Sequence, residues 1–193
     1  TAVAAVGLGA NSPKDGIYPL ALQDSGGCPL DGSSDDYTLT FSAGSPPVAD
    51  GGFPPVNTEG EGEGEYPLGF WSLTVYNLGG TIFSSQEDNT FYGDPVFSLG
   101  SIQLENLMDE AVPSEDVTFH FQSAAPSDEK LPFWLPVPDE AFEVILRIYA
   151  PDMDYFPIPY DCDDEDGDPN TDCKQPPANY KYVPPDLVRV NIS

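Results

Sequence analysis

The chain has 193 residues, a length typical of one domain and enough to bury a core without metal or disulfide support. Hydrophobic residues make up 39%, with 11 Phe and 10 Tyr, which excludes a disordered composition, and 22 Pro with 18 Gly imply many turns and few long helices. Asp plus Glu number 33 against 6 Lys plus Arg, a net charge of −27, so nucleic-acid phosphates and anionic lipid are repelled, whereas cations, basic partners and neutral polar polymers are not.

Residues 1–13 form a small, apolar, uncharged arm suited to tight packing in a groove. Its start, Thr1-Ala-Val-Ala-Ala-Val6, resembles what remains after a signal peptide is removed, so a secreted, extracellular protein is expected. Ile17 to Leu22 reads as a short strand, and Asp24 to Gly32 is a turn cluster. Tyr37 to Phe41 alternates, with Tyr37, Leu39 and Phe41 on one face. Residues 43–67 are rich in Gly, Pro and Glu. Glu59, Glu61, Glu63 and Glu65 at every second position repel one another, so the segment is expected to be an exposed, extended loop.

Phe70 to Tyr76 is a strand, and Asn77-Leu-Gly-Gly80 turns it back toward Thr81–Phe83. Residues 84–113 give no clear pattern beyond a short helix around Leu104 to Met108. Val117 to Gln122 alternates again. Ala141 to Ile148 places Phe142, Val144, Leu146 and Ile148 on one face, with Glu143 and Arg147 opposite. Arg147 is one of two arginines among many carboxylates, so a carboxylate partner is expected. Val183 to Ile192 ends the chain as an extended segment. About seven to nine short strands separated by turns predict an all-β fold, a jelly-roll-like antiparallel β-sandwich with at most one or two short helices. No internal repeat is visible, and no stretch approaches the roughly 20 apolar residues of a membrane span.

Several of these pieces, in this order, resemble one family. They are Leu8-Gly-Ala-Asn11, Ile17-Tyr-Pro19, Pro29-Leu-Asp-Gly32, Tyr37 to Phe41, Pro46-Pro-Val48 and Phe70-Trp-Ser-Leu-Thr-Val-Tyr76, then Trp134-Leu-Pro-Val-Pro138, Phe142 to Tyr149 and Pro184 to Val190. The chain is similar to the C-terminal domain of a bacterial and algal-virus family known as domain of unknown function 1214. The resemblance spans most of the chain and is patchy between residues 84 and 116. It implies a jelly-roll β-sandwich and no particular activity. Members usually carry an accompanying N-terminal domain where this sequence has a short arm. The stretches 49–67 and 161–173 look like acidic additions. The expected organisation is the arm at 1–13 and one β-sandwich domain at 14–193.

The sequence offers little for catalysis. The lone histidine, His120, points away from the face of Val117, Phe119 and Phe121, and no Gly-x-Ser-x-Gly elbow, phosphate loop or zinc motif occurs. With 33 acids, no carboxylate pair for glycoside hydrolysis stands out. A non-enzymatic protein is expected.

The strongest chemical signal is Asp161 to Cys173. Asp164, Asp166, Asp168, Asn170 and Asp172 stand at every second position, and Gly167 permits a sharp turn. Calcium needs six to eight oxygen ligands, which such a loop can supply, although the final bidentate Glu of an EF-hand is missing. The other reading is an unliganded acidic loop pinned by a Cys162–Cys173 disulfide, worth about 3 kcal/mol by loop-closure entropy. The disulfide itself stands against free thiols in an intracellular protein. Cys28 is left over, either free and buried or paired between chains. Asn191-Ile-Ser193 is the acceptor triplet for an N-linked glycan. Tyr155, Phe156, Tyr160, Tyr180 and Tyr182 either stack on sugars or cover a sheet edge.

These features favour an extracellular structural subunit. Its apolar arm would enter a groove of the next subunit, giving a homo-oligomer or head-to-tail helical filament, unless the arm is the first strand of its own sandwich. The alternatives are a secreted carbohydrate- or calcium-binding module and, less favoured, a hydrolase.

Overall fold

A computed structural model describes residues 15–43, 51–57, 69–83, 90–91, 94–95, 98–108, 113–152, 155–156 and 182–190. The apolar alternation read from the sequence becomes two packed sheets. The first contains β1 (Gly16–Ile17), β2 (Leu20–Ala21), β4 (Phe70–Asn77), β7 (Ser98–Gly100) and β10 (Phe142–Tyr149). Its order is β1-β10-β4-β7, with β2 also on β10. The second runs β11 (Val188–Val190), β3 (Asp36–Phe41), β8 (Val117–Gln122), β9 (Trp134–Pro136). A short ribbon pairs β5 (Thr90–Phe91) with β6 (Asp94–Pro95).

The two longest strands, β4 and β10, pair along their whole length, from Phe142 opposite Asn77 to Tyr149 opposite Phe70. The strand expected at Ile17–Leu22 is split in two, yet its register against β10 is continuous, with Ile17 opposite Ile148 and Leu20 opposite Ile145. The break falls at Tyr18-Pro19, because Pro19 has no N–H to give the ladder, while its carbonyl still accepts from Leu146 at 2.9 Å. Alternation is strict on β3, β8 and β10, whose inward residues are buried and outward ones half-buried. The expected helix is α1 (Ser101–Met108), one turn longer at its start than the apolar residues marked. A 3-10 turn at Leu131–Phe133 leads into β9. The fold is the expected all-β, jelly-roll-like sandwich, with one departure: β8 and β9 are parallel, since the chain between them loops over rather than folding as a hairpin.

The core centres on Phe41, whose ring lies 5.0 Å from Trp71, 5.4 Å from Phe53 and 5.9 Å from Phe119. Phe53 corrects the expectation of an exposed loop across 43–67. It is buried and stacked on Phe41, and Gly52, Pro54 and Pro55 are buried with it. Backbone bonds fix this stretch: Ser42 N–H to the Gly51 carbonyl, Gly51 N–H to Val183, and Asn57 N–H to Ala150. One phenylalanine flanked by prolines gives no periodic signal, although burying its ring outweighs the polar composition around it. The Glu59–Glu65 run lies outside the described residues.

A second correction concerns the aromatic residues near the end. Phe156 and Tyr182 belong to the core, edge to face at 5.6 Å, and the Tyr182 hydroxyl donates to the Gly52 carbonyl at 3.0 Å. Tyr155 packs half-buried against the same core. Tyr160 and Tyr180 lie outside the described residues.

Two glycines are fixed by close approach. A Cβ on Gly100 would lie 2.0 Å from the Trp71 carbonyl oxygen, and one on Gly32 would lie 2.3 Å from that of Pro138. Gly100 therefore lets α1 leave β7 hard against β4. Gly32 lets its loop seat on residues 137–140, where its N–H donates to the Glu140 carbonyl at 3.1 Å.

Candidate functional site

The proposed calcium ligands Asp164, Asp166, Asp168, Asn170 and Asp172 lie outside the described residues. So do Cys162, Cys173, Asn191 and the arm at 1–13. Two other places on the described residues combine charge with geometry, and each is built around one arginine.

The first is β11, the edge strand of the second sheet among the described residues. β11 pairs with β3 on one side, placing Arg189 opposite Tyr37. Arg189 turns inward over the Tyr37 ring, 6.0 Å from its centre. Its Nε donates to Asp24 Oδ2 at 3.0 Å, one terminal nitrogen lies 3.0 Å from the same oxygen, and the other lies 3.3 Å from Asp35 Oδ2. Asp24 also organises its own turn. Its Oδ1 accepts from the Gly26 and Cys28 N–H groups, both at 2.9 Å. The Cys28 N–H, with help from Arg189 and Gly26, holds this carboxyl below its ordinary value. Burial, with Asp35 beside it, pushes Asp36 up.

Cys28 is free and exposed, which removes the buried alternative for its thiol. The residues flanking Arg189 point outward: Val188 is 49% exposed and Val190 is 40% exposed. Natural edge strands are commonly guarded by Lys, Pro or inward charges. β11 carries such an inward charge in Arg189, while its outward face shows two valines. The carboxylate clasp was readable in part, because Asp24 two residues before Gly26 is a side-chain turn signal, but its link to Arg189 is a tertiary contact.

The second place is the outer face of the first sheet. Arg147 stands on β10 opposite Ser72. The expected carboxylate partner is not what the structure provides. One guanidinium nitrogen donates to Thr74 Oγ1 at 2.6 Å, the other donates to the Tyr76 hydroxyl, and the group lies 5.3 Å from the centre of the Tyr76 ring. Among the described residues no carboxylate pairs with Arg147. The register explains this, since β4 supplies only Ser, Thr and Tyr within reach on that face. Thr74 and Tyr76 are buried although they face away from the core.

Further along the same face, Tyr149 is stacked on Phe70 at 4.5 Å and meets the edge of Tyr18 at 5.8 Å. Burial and the neighbouring Tyr18 push the Tyr149 hydroxyl up. Burial also pushes Glu143 up.

His120 faces outward from β8, as the alternation implied, and burial together with Lys130 pushes its pKa down. A shallow depression of about 420 Å³ at one end of the sandwich is lined by Phe83, Ser123, Val137, Pro138, Asp139 and Glu140. Its two carboxylates are adjacent on one loop and exposed, rather than facing each other across a cleft.

A sandwich with these landmarks places the chain in one class. The model of the protein of unknown function family DUF1214 matches residues 15–52 and 61–153, and the chain belongs to that family. The gap within the match, 53–60, lies inside the acidic addition read at 49–67, and the match ends at residue 153. A solved structure, that of the VPA0106 protein from Vibrio parahaemolyticus, is similar at a TM-score of 0.54 and 21% identity, which shows the shared fold. The match covers 93% of this chain and 31% of that one, so this chain spans about a third of its relative's length. No curated protein matches the chain.

Proposed function

We propose that this chain is an extracellular structural subunit that assembles head-to-tail into a filament through residues 1–13. The observation that carries the reading is β11, a sheet edge presenting Val188 and Val190 to solvent on a protein of net charge −27. On such a surface exposed apolar residues at an edge favour strand addition, where main-chain hydrogen bonds supply affinity and side chains supply specificity. An uncharged apolar arm is a suitable occupant, because it brings no further negative charge to the contact. The arm and the β11 edge are two different surfaces, and a contact between different surfaces repeats head to tail into a filament wherever its rotation does not close a ring.

The same proposal includes the acidic loop. Asp164, Asp166, Asp168, Asn170 and Asp172 hold calcium, Cys162–Cys173 closes the loop, and Asn191 carries an N-linked glycan. In this role the chain has no catalytic function.

Electron microscopy of the purified protein, in calcium and in chelator, tests the reading. Filaments are expected in calcium and are expected to disappear when residues 1–13 are deleted. Discrete particles in both conditions overturn it. Filaments that survive chelation retain the assembly and remove calcium from it.

A further inference from the structure

We propose that Tyr18 and Tyr149 form a modification site, a pair of phenols placed for oxidative coupling into a dityrosine crosslink by a haem peroxidase with hydrogen peroxide. This is independent of filament assembly.

The backbone places the pair. Gly16 lies opposite Tyr149 in the β1–β10 ladder, so the cross-strand position carries no side chain. The Tyr18 ring folds back into that space. A Cβ on Gly16 would come within 2.7 Å of the Tyr18 hydroxyl oxygen and 3.0 Å of the ring carbon that bears it. Just past Tyr149 the chain turns at Ala150, whose φ of 43° is left-handed for a residue with a side chain. Two bonds hold that turn. The Ala150 N–H donates to the Asp15 carbonyl at 3.0 Å, and the Ala150 carbonyl accepts from the Asn57 N–H at 2.8 Å. The first of them ties the end of β10 to the entry of β1, close to both tyrosines.

The two rings meet edge to face with their centres 5.8 Å apart. Among the described residues this is the one ring contact between two tyrosines. The two hydroxyls share a hydrogen bond. Burial and Tyr18 push the Tyr149 hydroxyl up, the shared bond contributing, so the Tyr149 O–H is its donor. A tyrosyl radical carries its unpaired electron on the oxygen and on the two ring carbons beside the C–OH carbon. Hydroxyls bonded to each other bring those ortho carbons of the two rings together. Phe70, stacked on Tyr149 at 4.5 Å, steadies that ring and, lacking a hydroxyl, does not compete for it.

The oxidant takes one electron and one proton from each phenol, and hydrogen peroxide is reduced to two waters. One bond then forms between a Cε of Tyr18 and a Cε of Tyr149. Each joined carbon passes its hydrogen, as a proton, to its own ring's oxygen, which restores both phenols. The protein loses two hydrogens in all. Both side chains are half-buried, so part of each stays open to the oxidant. Groups held side by side react without the cost of an encounter, so this pair outruns tyrosines that must meet by diffusion.

The full chain, treated with a haem peroxidase and hydrogen peroxide, isolated as monomer and then digested, tests the site. Cleavage after Asp and Glu leaves Tyr18 as the one tyrosine of residues 16–24 and Tyr149 as the one tyrosine of residues 144–152. Mass spectrometry is expected to find these two fragments joined, with the loss of two hydrogens. Tyr18→Phe and Tyr149→Phe are each expected to abolish the joined fragment, and Tyr155→Phe to leave it unchanged. Gly16→Ala keeps both phenols but displaces the Tyr18 ring, and is expected to lower the yield by about tenfold or more. Circular dichroism checks that each variant is folded. The proposal is overturned if the joined fragment is absent from oxidised monomer, if it appears only in protein of doubled mass, or if Gly16→Ala in folded protein leaves its yield unchanged.

Discussion

The two arginines sit on the two sheets and have opposite surroundings. Arg189, on an edge strand, is held by the carboxylates of Asp24 and Asp35. Arg147, in the interior of the other sheet, is held by a threonine and a tyrosine hydroxyl. Both belong to a chain with 33 acids, so abundance does not decide what an arginine meets. Position does. Inside a sheet the neighbours are dictated by register, and β4 carries no acid on that face. At an edge, turns and loops bring in residues from far along the sequence, here 165 positions away for Asp24.

The difference has an energetic counterpart. Removing Arg147 strips the buried Thr74 hydroxyl of its donor and uncovers the Tyr76 ring, which its stem and head cover. Arg147→Ala is expected to cost about 1–3 kcal/mol, the penalty of a buried polar group left without its partner. Arg189→Ala is expected to cost less, because its side chain is a third exposed and Asp24, itself only 5% exposed, keeps the Gly26 and Cys28 N–H donors. Urea denaturation of both variants measures the gap, and an equal or larger loss for Arg189→Ala would break the comparison.

A smaller change isolates one contact. Tyr76→Phe keeps the ring under the guanidinium and deletes the acceptor oxygen. Its expected cost is about 0.5–1.5 kcal/mol, the net worth of a single hydrogen bond. A loss matching that of Arg147→Ala would mean that the hydroxyl, rather than Thr74 and the ring contact, dominates the anchoring.

Most of the framework was legible because strands with one buried face write themselves as alternation. Tyr37–Phe41, Phe70–Tyr76, Val117–Gln122 and Phe142–Ile148 all fall in observed strands. The parallel partner β9 was not legible as such. Trp134-Leu-Pro is too short for a period, and its pairing with β8 depends on a long excursion of the chain. Phe53 was hidden by the opposite problem: a single anchor inside a Pro and Gly segment contributes a large buried area and no pattern. The two arginine sites were the least readable. Partners across 71, 73 or 165 positions are set by topology, and no local spacing encodes them.

The smallest expected effect separates the arginine from the turn that holds its partner. Asp24 and Asp31 have lowered pKa values. Their unfolded forms therefore take up protons as pH falls below about 4, before the folded forms do, and the stability they contribute is lost through that window. Glu143 and Asp36 have raised values, so the folded chain protonates them first, and acidification from neutral pH initially raises stability. Relief of the −27 charge adds to this rise. Thermal melts are thus expected to show a maximum on the acid side of neutrality and a fall below it. The Cys28 N–H is the largest single cause that depresses Asp24, with the Gly26 N–H of the same turn beside it and Arg189 acting through its charge and its hydrogen bond. Asp24→Asn should accordingly flatten the acid fall, while Arg189→Gln should leave most of it in place. If Arg189→Gln flattens it as fully as Asp24→Asn, the clasp at the edge is held by the ion pair, and the turn would be its consequence.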